Sequence, residues 1–381
     1  MSTAAPRQAR PAGNAVLAAV TRRDRLLGLG TVVAAVAAAL VRPLGGVVAF
    51  VVAGIALALL AACVGRAVDA LGDRVGSAAT GILQSALGNL PELLILTFAL
   101  KAGLLTVVQA TIVGSILANV ALVLGVAFIA GGLRHGVQSF SGIAARDLGL
   151  NLLLAVVALS VPSITTHLHT PAAGHERTLS TIVAVVLLVA FGLSLLHTLR
   201  PPEDKEAAPS AEPVVGSPET SVPGTGEVAW PLWLAIAVLA ATGVLAALVS
   251  DWFVAALQPA MRTVHINDAF AGLVIVAIAG NAVENFVGIQ LALKNRAETA
   301  LQVVLQSPVQ IAMFVAPLVL LVSPLLGAPT FTLVLPPLLL VSLLFSALLA
   351  VFITLDGKST WYEGAVLVAL YALLAASFWW G

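Results

Sequence analysis

The chain has 381 residues, of which 60% are hydrophobic and only 9% are charged. Soluble domains carry about 25% charged residues, so this composition nearly excludes a soluble globular protein. The formal net charge of zero gives no basic surface for nucleic acid, and the single cysteine, Cys63, excludes an intramolecular disulfide. We therefore expect an integral protein of a lipid bilayer that has no nucleic-acid partner.

Apolar stretches recur along the whole chain, and stretches of about 20 such residues predict membrane-spanning helices. The arginine-rich start ahead of LLGLGTVVAAVAAAL looks like a signal peptide, but more apolar stretches follow and no clear cleavage site is visible. We therefore interpret it as a retained first helix. Lipid offers no partner to a backbone N–H or C=O, and no period-two alternation suggests a barrel. The prediction is an all-α integral membrane protein of about 11 transmembrane helices, at 26–41, 44–64, 77–100, 104–130, 147–164, 178–198, 230–250, 268–292, 299–322, 329–354 and 362–380.

The basic residues predict the orientation of these helices. With the N-terminus in the cytoplasm, the 18 Lys and Arg residues fall in cytoplasmic segments with four exceptions, Arg42, Lys101, Arg177 and Arg262. Cytoplasmic loops are enriched in Lys and Arg. We predict a multi-pass protein of the inner (plasma) membrane whose N-terminus is cytoplasmic and whose C-terminus is external.

The longest polar break, 200–229, divides the chain into two halves. It is rich in Pro, Ser and Gly and carries six acidic residues against Lys205, a composition typical of a flexible linker. The predicted organisation is a cytoplasmic N-terminal tail and first helix at 1–43, a first five-helix repeat at 44–199, the acidic cytoplasmic linker at 200–229 and a second five-helix repeat at 230–381.

The two halves share a polar motif. Aligning LGNLPELL (87–94) with AGNAVENF (279–286) superposes three pairs of residues: Gly88 on Gly280, Asn89 on Asn281 and Glu92 on Glu284. A serine follows each glutamate at the same spacing, and an amide follows each serine within four residues; these are Ser115 with Asn119 and Ser307 with Gln310. An odd number of predicted helices separates the copies, so they cross the membrane in opposite directions. Inverted repeats of this kind are typical of secondary transporters.

The motif suggests an oxygen-rich site. An ionisable side chain deep in a bilayer costs on the order of a few kcal/mol or more, so it normally faces a cavity inside the protein. Asn and Glu three residues apart share a helix face, the glycines allow close approach of another backbone, and Pro91 would free a carbonyl one turn earlier. Hard divalent cations such as Ca²⁺ bind oxygen shells of this type.

Two opposed carboxylates also suit exchange. When the site is empty they repel each other in a low dielectric, so we expect protons to replace the dication as it leaves and the dication to displace protons as it binds. Polar side chains on membrane helices also bond neighbouring helices, and this structural role stays open for Ser115, Asn119, Ser307 and Gln310.

Residues 88–125 and 280–320 resemble the two signature regions of the cation/proton exchanger branch of the calcium/cation antiporter superfamily, including the A-x-K-N and Q-I-A-x-F-V elements of the second region. The resemblance implies exchange of Ca²⁺ for protons by alternating access, without a resident cofactor. It implies that Glu92 and Glu284 bind the cation or protons and that Asn89 and Asn281 support them. The expected lining residues are Gly88, Gly280, Ser115, Asn119, Ser307, Gln310, Gln306 and Asn285.

Three positions differ from that branch. Asn285 stands where the family usually has His, Gln306 stands where the family and Gly114 of the first repeat have Gly, and the Pro91–Glu92 pair resembles the sodium/calcium exchanger branch. The same fold exchanging Na⁺ or K⁺ for Ca²⁺ or H⁺ is therefore the alternative. A different class, an intramembrane metal-dependent enzyme, lacks support because neither H-E-x-x-H nor a nucleophile-with-base motif is present.

Overall fold

The computed structural model describes residues 20–75, 87–198, 230–327 and 330–380. The predicted linker at 200–229 and most of the predicted N-terminal tail lie outside these ranges. The helices before the linker are α1 (Arg22–Val41), α2 (Gly46–Val75), α3 (Leu90–Lys101), α4 (Leu105–His135), α5 (Gly142–His167) and α6 (Glu176–Thr198). Those after it are α7 (Leu232–Val264), α8 (Asp268–Gly280), α9 (Ala282–Leu293), α10 (Ala297–Leu326), α11 (Pro337–Thr354) and α12 (Trp361–Trp379).

Three of these helices contain a wider π-helical turn. The turns lie at Ala118–Val123 in α4, Ala271–Val276 in α8 and Ile311–Val315 in α10. In α4 and α10 the turn begins a few residues after the predicted site serines, Ser115 and Ser307. Single π-helical turns inside α-helices are frequent at functional sites, so their position agrees with the polar motif.

In the described ranges, nine helices are long and apolar enough to cross a membrane, and the bent pair α8–α9 supplies a tenth candidate. The rise of about 1.5 Å per residue puts Trp361 and Trp379, at the two ends of α12, about 27 Å apart. That length is close to the hydrocarbon thickness of about 30 Å, and Trp is enriched at both membrane interfaces. The prediction of an all-α membrane fold is confirmed, whereas the described residues do not confirm the count of 11 spans.

Two predicted spans are broken where they were expected to be continuous. The predicted span 268–292 is two helices, α8 and α9, which meet at Asn281 with a bend of 64°. In the predicted span 77–100, the described part begins at residue 87, Gly88 and Asn89 form a turn, and α3 starts at Leu90. Asn89 and Asn281 therefore occupy the N-cap positions of α3 and α9. The prediction that each shares a helix face with its glutamate had placed them within a continuous helix.

The break also changes the role predicted for Pro91. It is the second residue of α3, and the N–H groups of a first helical turn have no partner within the helix. Proline at this position therefore starts α3 at no cost in hydrogen bonds. The sequence suggested instead that Pro91 frees a carbonyl within a continuous helix, and that prediction is wrong.

Residues 330–336 are extended, so the predicted span 329–354 is helical only from Pro337. The consecutive prolines Pro336 and Pro337 explain the late start, because the residue before a proline is disfavoured in helical conformation. The extended backbone is paired with side chains of the first half. Ser163 Oγ donates to Leu333 O at 3.1 Å and accepts from Leu335 N at 2.7 Å.

The connections show that α4 and α10 are antiparallel. The strands β1 (Gln138–Ser139) and β2 (Lys358–Ser359) pair on one face of the protein, where His135 Nε2 also donates to Leu293 O at 2.9 Å. On the opposite face, Gln109 Nε2 donates to Val334 O at 2.8 Å. Thus α4 starts on the face where α10 ends, and α10 starts on the face where α4 ends. Since α3 and α9 directly precede these helices, they are antiparallel too, as an inverted repeat requires.

Glycines allow the central helices of the two halves to touch backbone to backbone. A Cβ added at Gly125 of α4 would lie 2.7 Å from Gly364 O of α12, and a Cβ at Gly114 of α4 would collide with the backbone of Leu273 in α8. The hydrophobic effect does not draw helices together in lipid, because lipid tails are as apolar as the helix surfaces. Close packing is therefore a main source of attraction between them. The polar site is built on this rigid core.

We expect Gly125→Ala to destabilise the protein by about 1–3 kcal/mol, because the new methyl group collides with backbone that cannot move alone. The measurement is the thermal unfolding temperature of the full chain in detergent. Gly192→Ala is the matched control, since nothing lies within 4 Å of a Cβ at Gly192 of α6. Equal unfolding temperatures for the two variants would contradict the packing argument.

Candidate functional site

The two helix breaks meet near the centre of the protein. Glu92 and Glu284 are each the third residue of a twelve-residue helix, α3 and α9. A Cβ added at Gly280, the last residue of α8, would contact Glu92 Cγ at 3.8 Å. The side chain of one repeat therefore packs against the break of the other, and Glu92 is 2% exposed.

Hydrogen bonds from both halves hold the Glu92 carboxylate. Ser115 Oγ, from α4 of the same half, donates to Glu92 Oε1. Asn281 Nδ2, from the other half, lies 3.3 Å from Glu92 Oε1 and 3.1 Å from Ser115 Oγ. Both helix starts also point the positive end of a helix dipole at the carboxylates, which favours negative charge there.

Two further amides join the halves. Ser307 Oγ donates to Asn281 Oδ1 at 3.1 Å, and Asn119 Nδ2 lies 2.9 Å from Ser115 O and 3.5 Å from Ser307 Oγ. Asn89 Nδ2 donates to Gln310 Oε1 at 2.7 Å. All these side chains are buried. The structure thus brings together Asn89, Glu92, Ser115, Asn119, Asn281, Ser307 and Gln310.

Glu284 does not repeat the bonding of Glu92. By repeat symmetry Ser307 would bond Glu284 as Ser115 bonds Glu92, yet Ser307 donates to Asn281 instead. Glu284 is only partly buried, and its Oε2 atom is buried without a hydrogen-bond partner in the described residues. Glu92 and Glu284 lie at the starts of the two helices whose breaks meet at this site. One carboxylate is therefore held by donors and the other is left open.

The site leaves several acceptor oxygens without donors. Among the described residues, nine buried side-chain oxygens have no hydrogen-bond partner. Five are hydroxyls; the remaining four, all carboxylate or amide oxygens, are Glu92 Oε2, Glu284 Oε2, Asn119 Oδ1 and Asn285 Oδ1. Buried acceptors are nearly always satisfied in folded proteins. A set of unsatisfied carboxylate and amide oxygens has the chemistry of a shell for a hard cation.

The structure gives less support for a role of the remaining predicted residues in the site. Gly88 lies in the turn before α3, and Asn285, next to Glu284, makes no side-chain hydrogen bond in the described ranges. Gln306 is partly exposed, and no hydrogen bond joins it to another residue of the site within the described part. Its counterpart Gly114 lies against the α8 backbone, so the two repeats differ in packing where the sequence differs.

Repeat comparison missed one polar residue near the site. Thr111 lies one turn before Ser115 on α4, and its buried hydroxyl has no partner in the described residues. Its counterpart in the second repeat is Val303, so the alignment gave no signal. The helical spacing of four residues from Ser115 is the signal that could have identified it.

The site is not a cluster of conventional metal ligands. No group of three or more His, Cys, Asp or Glu residues in the described ranges is arranged to hold a metal ion. Glu92 and Glu284 are the only carboxylates that the described residues contribute to this site, and its other oxygens come from amides and hydroxyls. The two negative charges of these carboxylates would balance the two positive charges of a divalent cation, so the loaded site would be neutral.

Two inverted copies of a broken helix, each with a glutamate at the break, define a secondary transporter of the exchanger type. The profile of the family described as sodium/calcium exchanger protein matches residues 45–200 and 234–380. The chain belongs to this family. The predicted relationship to calcium/cation antiporters is thereby confirmed.

Individual relatives agree. The chain is 34% identical to a Ca²⁺/H⁺ antiporter of Aphanothece halophytica over 339 residues, covering 86% of this chain and 89% of the relative. It is 36% identical to a Ca²⁺/H⁺ antiporter of Synechocystis sp. over 347 residues, covering 88% and 91%. The solved structure of native YfkE superposes with a TM-score of 0.74 at 29% identity, covering 93% of this chain and 99% of that one.

We expect Asn281→Ala to destabilise the cation-free protein by about 1–3 kcal/mol, because it removes a donor from Glu92 and an acceptor from Ser307 in a buried setting. The thermal unfolding temperature in a calcium chelator measures this effect. Asn285→Ala is the control, since the Asn285 side chain has no hydrogen bond to lose in the described residues. An equal loss in both variants would refute the assigned network.

Proposed function

We propose that the protein is a secondary active antiporter that exports a divalent cation, Ca²⁺, in exchange for protons. The observation that carries this proposal is the pairing of Glu92 and Glu284 at the starts of two antiparallel helices, each with a buried carboxylate oxygen that has no hydrogen-bond partner in the described residues. Relatives described as Ca²⁺/H⁺ antiporters match most of the chain. It is a transporter and not an enzyme, and Ca²⁺ and H⁺ are its transported species and not cofactors.

Glu92 and Glu284 are proposed as the groups that bind the cation or protons. Asn281 orients Glu92 through its amide N–H, and Asn89 has the corresponding place in the first repeat, where it bonds Gln310. Ser115 and Ser307 act as hydroxyl partners that can turn between the carboxylates and the asparagines. Gly88 and Gly280 leave room for the breaks to meet, and Asn119 and Asn285 add amide oxygens to the shell.

Exchange follows from charge balance. With the cation bound, its two positive charges offset the two carboxylates; with protons bound, both carboxyl groups are neutral. Either loaded form moves through a low-dielectric interior more easily than the empty, doubly charged site. Direct loss of the cation without protonation leaves two like charges that repel, so the empty form is disfavoured as an intermediate. This is the physical basis of obligatory exchange.

The contrast between the two glutamates supports alternating access. Glu92 is sealed by Ser115 and Asn281, whereas Glu284 is only partly buried. Inversion of the repeats predicts a second arrangement, in which Ser307 and Asn89 hold Glu284 and Glu92 is released. Exchange of these partners would move access from one side of the membrane to the other.

The position in the cell is also part of the proposal. A multi-span protein with bacterial antiporter relatives fits a plasma membrane. The excess of Lys and Arg on one side assigns the N-terminus and the 200–229 linker to the cytoplasm and the C-terminus to the exterior. Within this frame, 44–199 and 230–381 are the two repeats.

We expect Glu92→Gln and Glu284→Gln each to reduce calcium-driven proton movement by at least about tenfold, because each removes one charge that offsets the cation. The assay uses inverted membrane vesicles with an imposed pH gradient and a fluorescent pH reporter. Glu363→Gln is the control, because Gln can replace Glu in the capping box that Glu363 forms with Thr360 at the start of α12. Unchanged exchange in both site variants would disprove the assignment.

A cation panel separates the proposed activity from its alternative. In the same vesicles, we expect addition of Ca²⁺ to collapse the pH gradient, with Na⁺ and K⁺ inactive, because a monovalent ion leaves one carboxylate uncompensated. A response to Na⁺ or K⁺ alone would favour the same fold working as a monovalent-cation exchanger. No response to any cation would exclude proton coupling.

A further inference from the structure

A cavity separate from the glutamate site lies between α6 and the end of α10. It has a volume of about 320 Å³ and lies at the face of the protein where α6 begins and α10 ends. Its polar lining includes Arg177, Thr181 and Thr330, and its apolar lining includes Leu320 and Phe331. Small-molecule sites commonly start at about this volume and combine an apolar wall with a few polar groups.

Arg177 brings a positively charged donor group to this cavity. No hydrogen bond or ion pair of its guanidinium group occurs within the part of the chain that the structure describes. The adjacent Glu176 forms no ion pair with Arg177 in the described ranges, and its Oε1 accepts from Gly174 N at 3.0 Å. The Thr330 hydroxyl likewise has no partner in the described ranges. The free donors of the cavity are therefore suited to an anion.

The cavity opens beside a lipid-facing surface. Arg177 is the second residue of α6, a candidate membrane span, so the cavity lies at the depth of lipid head groups. Directly below Thr181, one face of α6 exposes a continuous apolar stripe made of Ile182, Val185, Val189, Leu193 and Leu196. A polar pocket at the head of an apolar stripe matches the two parts of a phospholipid.

We propose that this cavity binds the phosphate group of an anionic phospholipid, whose acyl chain lies along the apolar stripe of α6. The planar Arg177 guanidinium can hold two phosphate oxygens at once, and Thr330 can donate a further hydrogen bond. An anionic head group leaves a net negative charge for the unpaired arginine, whereas a choline head group would bring a second cation close to it. The proposal concerns lipid binding and does not depend on which ions the protein exchanges.

The test is the thermal unfolding of the full chain in detergent with short-chain lipids. Dioctanoyl phosphatidylglycerol should raise the unfolding temperature, because a ligand of the folded state stabilises it by mass action. Dioctanoyl phosphatidylcholine should raise it less, and inorganic phosphate, which cannot use the stripe, should have no effect at equal concentration. Arg177→Gln should lower the phosphatidylglycerol effect at least about threefold.

Arg262→Gln is the matched control. Arg262 lies near the end of α7, is also predicted to face the exterior and does not line the cavity, so its loss should leave the lipid effect intact. An equal effect of phosphatidylglycerol on wild type and Arg177→Gln would overturn the proposal. So would an equal effect of inorganic phosphate, which would make the cavity a site for free anions.

A second variant covers the case in which Arg177→Gln does not fold. Thr181→Trp keeps the arginine and fills the mouth of the cavity with a side chain that is tolerated at membrane interfaces. It should remove the phosphatidylglycerol effect and reduce the number of phosphatidylglycerol molecules seen on the protein by native mass spectrometry. Retention of both signals in this variant would contradict binding in the cavity.

Discussion

The structure depends on one constraint: a helix inside a bilayer can be interrupted only where another part of the protein satisfies the exposed polar groups. The two breaks, at Asn89 and Asn281, meet this constraint together. Asn281 bonds Glu92 and Ser115 of the opposite half, and Asn89 bonds Gln310. Neither break is self-sufficient, so the site exists only when the inverted halves are packed against each other.

Close packing makes this meeting possible. Glycines at Gly114 and Gly125 bring α4 against the backbones of α8 and α12, and Gly280 leaves space for the Glu92 side chain. The extended segment before α11 is paired with Ser163 of the first half. These contacts join the two halves around the site. A π-helical turn follows each of the two serines, and at such a turn a helix can change its pitch while it keeps its direction.

The bonding of the two glutamates is unequal although their local sequences are alike. Ser115 bonds Glu92, but Ser307 bonds Asn281. Similar motifs therefore take different hydrogen-bond partners in a single conformation. Alternating access needs conformations in which the two repeats differ, and unequal bonding of the two glutamates is one such difference. The packing difference between Gly114 and Gln306 lies at the same level of the fold and adds a permanent asymmetry to the reversible one.

Much of the architecture was predictable from the pattern of residues. Apolar length predicted most membrane helices, because lipid imposes helices on any chain that crosses it. The repeated spacing from Glu92 to Ser115 and from Glu284 to Ser307 predicted which polar residues share a site. The predictions failed at Asn89 and Asn281, which were assigned to helix interiors, and at residues 330–336, which are extended. Helix breaks carry weak local signals, since Gly and Asn are also tolerated within membrane helices.

The sequence by itself determined the class of protein, and it predicted the repeat and the two carboxylates of the proposed site. Composition and spacing are properties of the chain and need no partner to be recognised. Only the tertiary structure decided which oxygens of the described residues are bonded and which are left open, and that Arg177 lines a cavity between α6 and the end of α10. These features depend on distances between segments far apart in the chain, and those distances are set by the packing of whole helices.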